Sequence, residues 1–480
     1  MVKRILSFII VYALICAALS AVFIAAERVC SRIYEPAGSD GFRDGEEPLA
    51  VTSLIGSRFV EVGRYTRGAN AGSLFYKIYA TDGELDFRQD FYIEGVKLDV
   101  TEVFPKKDGF GIVCRCTPRD GETPSFGCVF FADGDWKLGS TVFCRAENSG
   151  IQLSGFENGM DRFLRADAEG GYFAGIYRQH AVLFDAEGNI VAAYAPEAMS
   201  HVSDVSVLGD TVLLAGADSE DGQARFFKNS MCTAYDLGGT FLWQRTLAES
   251  ETDIGAALIS EAYDEYFIVI GRTAETEAEN GWENVSRIDE LEADNDPRRF
   301  HIGSDAASDN ASSLYGVVLT RNGAVASSAV YLTGNNQYVP ALMQFDRTGT
   351  GGGLIFCAFY ADRLHADNYN VSFAVHSPSL GTEYVFTVPV RGDTLIYPVR
   401  DIDGGGFFIF VSVNGSGEYR LTHFETEAEF KEHMEKISRL RGVVDYYFVL
   451  KQKLPVIICL AFVLMFCVSG AARIGRRKAE

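Results

Sequence analysis

The stretch GDTVLLAGA (residues 209–217), followed by CTAYDLGGTFLWQRTL (residues 232–247), decides the reading of this chain. A turn built from Gly and Asp leads into an apolar run that ends on small residues. A second apolar run then passes through Asp-Leu-Gly-Gly into a third. The apolar period is two rather than 3.6, which is the period of strands, and the glycines supply the positive φ that tight hairpin turns need.

The first half of this unit recurs six more times, as IGSRFVEVGRY (55–65), DGFGIVCRC (108–116), EGGYFAGIY (169–177), DEYFIVIGRT (264–273), GGGLIFCAF (351–359) and DGGGFFIFV (403–411). The hairpin half follows most copies: SLFYKIYATDGELDF (73–87), GCVFFADGDWKLG (127–139), AVLFDAEGNIVAAY (181–194) and YGVVLTRNGAVASSAVYL (315–332). Measured from the first bulky residue of each inner run (Phe59, Phe110, Tyr172, Val212, Tyr266, Leu354, Phe407), the intervals are 51, 62, 40, 54, 88 and 53 residues. Four short strands with their turns need roughly 40, so the longer intervals carry inserted loops. Seven units of two hairpins, arranged radially so that only short edges face solvent, predict an all-β, seven-bladed β-propeller over residues 31–425. An open solenoid would need capping units at both ends, and none is visible. The seventh unit lacks a last strand, because EYRLTHFE (418–425) runs into a helical pattern; residues 31–53 are expected to supply it and close the ring.

Two apolar segments flank this region. Residues 5–26 (ILSFIIVYALICAALSAVFIAA) carry no charge and follow Lys3 and Arg4; residues 454–472 (LPVIICLAFVLMFCVSGAA) carry none and precede Arg473, Arg476, Arg477 and Lys478. Each is long enough, as a helix, to cross a hydrocarbon core of roughly 30 Å. The expectation is therefore an N-terminal and a C-terminal transmembrane helix embedded in the lipid bilayer, with short cytoplasmic tails at 1–4 and 473–480 and the bulk of the chain extracytoplasmic, by the positive-inside rule. A cleaved signal peptide is the alternative for the first segment. From Thr422 the period becomes helical: Thr422 and Glu425 fit a capping box, and Phe430, Met434, Ile437, Leu440 and Val444 form one stripe, predicting a membrane-proximal helix over 426–450.

Within the decisive stretch, Ala234, Asp236, Gly239 and Trp243 fall in the pattern A-x-D-x-x-G-x-x-x-W, which resembles the repeat of quinoprotein-type (PQQ-like) propellers over residues 233–244. In that family Asp and Gly form the turn and Trp locks neighbouring blades, so the resemblance implies a propeller and structural roles for these residues. It implies no cofactor, since nothing matches a quinone pocket with its calcium ligands, and only one unit of the seven fits well.

Composition narrows the function classes. The 480 residues hold 43 Lys and Arg against 65 Asp and Glu, a formal charge of -22, so nucleic acid, which rewards basic surfaces, is not an expected partner. The seven histidines show no metal-ligand spacing, and no nucleophile elbow, phosphate loop or dinucleotide fingerprint occurs. Neither a catalytic nor a metal-binding set is expected. Cys114 and Cys116, two apart on one strand, face the same side, which permits a small metal or disulfide site with Cys128 or Cys144; buried thiols are the favoured reading. The 88-residue interval holds an acidic insertion at 275–310 with eleven acidic residues. It reads as a solvated loop or as a partner-docking loop, with Trp282, Arg298, Arg299 and Phe300 as candidate contacts. Asp294 and Asp296 lack the glycine of a calcium-binding loop.

These observations predict a membrane-anchored extracytoplasmic propeller that binds or scaffolds a protein of the membrane or envelope. A carbohydrate-active or other hydrolase with its site at the channel, or an extracellular ligand sensor relaying through a membrane partner, are the alternatives, the first marked by converging carboxylates or arginines at the channel mouth.

Overall fold

In a computed structural model of the chain, residues 45–435 are described apart from several segments, the longest being 147–155, 220–226, 250–257, 274–283, 288–312, 333–338, 346–354 and 361–367, and a few shorter stretches. The described residues are almost all strand, in seven sheets, six of them antiparallel with strands in consecutive order and the fifth with one added parallel strand. The first sheet holds β1 (Glu46–Leu54), β2 (Arg58–Tyr65), β3 (Leu74–Tyr79) and β4 (Leu85–Phe91). The second holds β5 (Val96–Lys106), β6 (Gly109–Pro118), β7 (Phe126–Ala132) and β8 (Leu138–Cys144). The third contains β9 (Arg162–Arg165), β10 (Tyr172–Tyr177), β11 (His180–Asp185) and β12 (Ile190–Tyr194), and the fourth β13 (His201–Leu208), β14 (Thr211–Ser219), β15 (Phe227–Asp236) and β16 (Phe241–Glu249).

The fifth sheet contains β17 (Ile259–Tyr263), β18 (Tyr266–Thr273), β20 (Ser313–Thr320) and β21 (Val325–Leu332); β19 (Asn284–Arg287), from the acidic insertion, adds a fifth strand parallel to β21. The sixth has β22 (Val339–Phe345), β23 (Ile355–Tyr360), β24 (Asn368–His376) and β25 (Thr382–Arg391), and the seventh only β26 (Thr394–Arg400), β27 (Phe407–Val413) and β28 (Glu418–Phe424).

Five four-stranded sheets in an all-β chain fit a propeller-like fold. The first strands of neighbouring sheets meet one another, β1 with β5, β5 with β9, β9 with β13 and β13 with β17, so they stand nearest a common axis. The seven repeated apolar runs form the second strand of each sheet, one place out from that axis, rather than the innermost one. Being flanked by strands on both sides and sheets on both faces, these runs are apolar almost throughout, which is why they were the visible repeat.

Apolar cores fill the space between consecutive sheets: Val62, Tyr76 and Phe110 between the first and second, Phe104, Phe163 and Phe184 between the second and third, Leu183, Val205 and Leu214 between the third and fourth. The hairpins between third and fourth strands repeat one geometry. In four of them the residue before the last turn position is a glycine at positive φ (Gly83, Gly188, Gly239, Gly323), whose N–H donates to the carbonyl three residues back. The partner strand is bulged beside each turn, as a turn followed by a left-handed residue requires. In the second sheet Trp136 occupies this position with φ +64°.

Four expectations are corrected. The sheets are not seven uniform sets of four, since the fifth has five strands and the seventh three. Flanking transmembrane helices are not found: among the described residues no helix is long and apolar enough to cross a membrane. In residues 5–26 only isolated positions are described, and 454–472 lie outside the described residues. An uncharged stretch has the length to span a bilayer only as one continuous helix, and the described residues contain none of that length.

The seventh sheet does not receive its fourth strand from residues 45–53, because β1 pairs with β2 inside the first sheet; residues 31–44 lie outside the described residues. Instead Phe59, Tyr79 and Val51 of the first sheet pack on Val399 and Leu421 of the seventh, joining the two ends of the array through side chains. The helix cap is shifted by one turn. Thr422 is consumed by pairing with Ile409 in the sheet, and the N–H of Glu429 donates to Thr426 Oγ1 while the Glu429 carboxylate accepts from the N–H of Glu425. The helix is described at 428–433 and 435, with Phe430 buried against Phe424; Met434, Ile437, Leu440 and Val444 fall outside the described residues.

Candidate functional site

The face of the first sheet that turns toward the seventh carries a buried ionic cluster. Strand alternation puts Phe59, Glu61 and Gly63 on one face of β2, and the register sets Glu61 opposite Lys77 on β3 and Lys77 opposite Arg88 on β4. Glu46, at the start of β1, lies opposite Tyr65. Lys77 donates to Glu46 Oε2 and stands 3.7 Å from Glu61 Oε2; none of the three side chains is exposed. Arg88 Nη2 donates to Glu46 Oε1 at 2.6 Å, and the Tyr79 hydroxyl to Glu61 Oε2 at 2.9 Å. The rings of Phe75 and Tyr65 cover the cations, with Lys77 Nζ 4.8 Å from the Phe75 centroid and the Arg88 guanidinium 5.5 Å from that of Tyr65.

The electrostatics are those of charge removed from water. Burial pushes the Glu61 carboxyl above its ordinary value, opposed by Lys77 and by the Tyr79 hydrogen bond. Glu61 Oε1 has no hydrogen-bond partner among the described residues. A sealed cluster can hold or release a proton, yet it cannot meet a substrate. Its chemistry is that of a lock on the surface joining the first and seventh sheets.

Polar ties also run between the innermost strands. Arg165 on β9 donates to Glu102 on β5 at 2.7 Å, Arg162 to the Ser203 carbonyl at 2.6 Å, and the Ser260 N–H to Asp204 Oδ2 at 2.7 Å, linking sheets two through five in turn. Glu102, Arg162, Arg165 and Asp204 thus act as inter-sheet fasteners. Among the described residues no group of three or more His, Cys, Asp or Glu is placed to hold a metal ion.

At the rim, Tyr194 of β12 packs on Tyr235 of β15, ring centroids 5.3 Å apart, and Tyr235 meets Phe241 of β16 edge to face at 6.0 Å. This row begins buried and ends with Phe241 56% exposed, beside Leu242 at 45%. Asp236 and Gly239 make the turn before Phe241, and Trp243 Nε1 donates to the Arg321 carbonyl of the next sheet at 2.7 Å.

The candidate contacts Trp282, Arg298, Arg299 and Phe300 lie outside the described residues, as do Asp294 and Asp296. Of the cysteines, Cys114, Cys116 and Cys128 share the junction with the first sheet, whereas Cys144 faces the third. The ionic cluster and the rim row went unread in the sequence. A signal for the first was present: Glu61 and Lys77 are lone charges in the middle of runs otherwise apolar on both faces, positions where a charge must find a partner.

The fold thus defines an all-β, propeller-like protein. No family model matches the sequence, and no curated protein matches it. Solved structures with some likeness include a crystal structure described as the eukaryotic initiation factor (10% identity, 80% of this chain and 90% of that one, TM-score 0.32). A protein of unknown function from Bacteroides caccae (12%, 72% and 80%, 0.26) and the WD40 domain of SCAP from fission yeast (10%, 78% and 99%, 0.34) are others.

Proposed function

We propose that this chain is a protein-binding module whose partner docks on the rim of the fourth sheet. The reading rests on one observation: Phe241 and Leu242, adjacent at the bulged start of the outermost strand, are both exposed, and Phe241 packs on Tyr235, which is itself backed by Tyr194. A rigid aromatic supported on a packed sheet loses little entropy on binding and is the residue type that dominates protein interfaces.

The test places a photo-crosslinking residue at Phe241, at Leu242 and, as control, at exposed Thr141 on the outer strand β8, in the full chain inside its source cells. A discrete protein adduct from 241 and 242 that is absent at 141, that excess parent chain competes away and that an excess of the Phe241→Asp, Leu242→Asp chain does not, supports the reading. Adducts indistinguishable among the three positions overturn it.

A further inference from the structure

The second sheet holds three thiols on one face. Strand alternation puts Cys114 and Cys116 on the same side of β6, and the pairing of β6 with β7 sets Cys128 directly opposite Cys114, with Cys116 one diagonal step away. All three are sealed in the apolar core between the first and second sheets, beside Tyr76, Phe110 and Phe126. The Sγ atoms of Cys116 and Cys128 are 3.0 Å apart. That is inside the roughly 3.5–4.0 Å at which unbonded heavy atoms settle, and about 1 Å of approach remains to the ~2.05 Å of a disulfide. We propose that Cys116 and Cys128 form a cross-strand disulfide when the chain folds in an oxidising medium.

The alternatives within the sheet are poorer. Cys144 faces the third sheet across the opposite core and cannot turn through β8 to reach them. Cys114, directly opposite Cys128, is the competing partner, and the 3.0 Å approach of the Cys116 and Cys128 sulfurs favours the diagonal pair; with Cys128 joined to Cys116, Cys114 stays buried and reduced.

The oxidant is a low-molecular-weight disulfide such as oxidised glutathione. One thiolate attacks it, forming a mixed disulfide and releasing one small thiol; the second cysteine thiolate then attacks the protein sulfur of that mixed disulfide and releases the other. Two cysteine thiols and one small disulfide become one protein disulfide and two small thiols, with two electrons passing to the small molecule. Hydrogen bonding within the trio, together with burial, pushes both thiols up in the closed sheet, so exchange belongs to the open chain, before the first sheet covers the second.

The full chain, unfolded with reductant and refolded in glutathione redox buffer, is alkylated in denaturant and mapped by non-reducing peptide mass spectrometry. The expected result is a linked peptide carrying Cys116 and Cys128, with Cys114, Cys144 and Cys232 alkylated. Cys114→Ala retains the link, and Cys116→Ala loses it. Complete alkylation of Cys116 and Cys128 in the refolded protein, or a link from Cys128 to Cys114 or Cys144, overturns the proposal.

Discussion

Lys77 Nζ lies 3.7 Å from Glu61 Oε2, across one strand pair, with both side chains closed to solvent. A buried pair of this kind adds little net stability over an apolar replacement of both members, but removing one member leaves the other charged and dry. Lys77→Met is therefore expected to lower the free energy of unfolding by about 3–5 kcal/mol, since Glu46 retains Arg88 whereas Glu61 loses its nearest cation and keeps the Tyr79 hydroxyl and the more distant Arg88. Combining it with Glu61→Gln should return part of that loss. Urea denaturation of the two variants checks this, and a Lys77→Met protein as stable as the parent would refute the account of the cluster.

The same carboxyl sets a pH dependence. Glu61 titrates above its ordinary value of 4.5 because burial disfavours its charged form, so between that value and its raised folded one the native state holds more proton than the unfolded chain. Its contribution to stability is present below the unfolded value and is lost as pH rises through the folded one. Comparing parent and Glu61→Gln removes the background of the other carboxylates: the difference in stability should move in the parent's favour as pH falls from neutrality toward 4.5. A difference that stays flat across that range would show that Glu61 does not titrate there.

Joining of the first and seventh sheets depends on side chains and not on a shared strand. Phe59, unexposed between Tyr79 and the seventh sheet's Val399 and Leu421, should cost about 3–5 kcal/mol when cut to alanine. Leu85→Ala, at a position 36% exposed on β4, should stay within ~0.5 kcal/mol. Thermal melts of the pair separate the two; equal shifts would mean that the ends are held by something other than this contact.

Gly323 combines φ +81° with the Trp243 indole lying where a Cβ would stand, 2.7 Å from the nearest ring atom. Gly323→Ala must both hold an unfavourable left-handed residue and displace the indole, a loss of more than ~1 kcal/mol. The displaced Trp243 should also change its emission, and the signal that changes should be missing in Trp243→Phe.

Thr426 caps the short helix by accepting from the Glu429 N–H at 3.2 Å. Thr426→Ala should weaken that helix by about 1 kcal/mol, read as faster hydrogen exchange at Phe430 and its helical neighbours with the sheet amides unchanged. Thr422→Ala should leave those helix amides as they were, since its backbone belongs to β28.

What could be read from the order of residues was local. The period of two in runs such as VLLAGA, and the glycine that takes a positive φ in turns such as Asp82-Gly83 and Asn322-Gly323, depend on neighbours a few positions apart, so strands, hairpins and the repeat were legible without coordinates. The candidate site was not, because Glu61, Lys77, Arg88 and Glu46 come from four strands whose register decides whether their charges cancel or are stranded. The position of each repeated run one strand out from the axis, the meeting of Phe59 with Val399, and the displacement of the cap from Thr422 to Thr426 likewise belong to the folded chain alone. Pairing between distant segments commits backbone groups and seals side chains, and a single strand carries no record of which partner will do so.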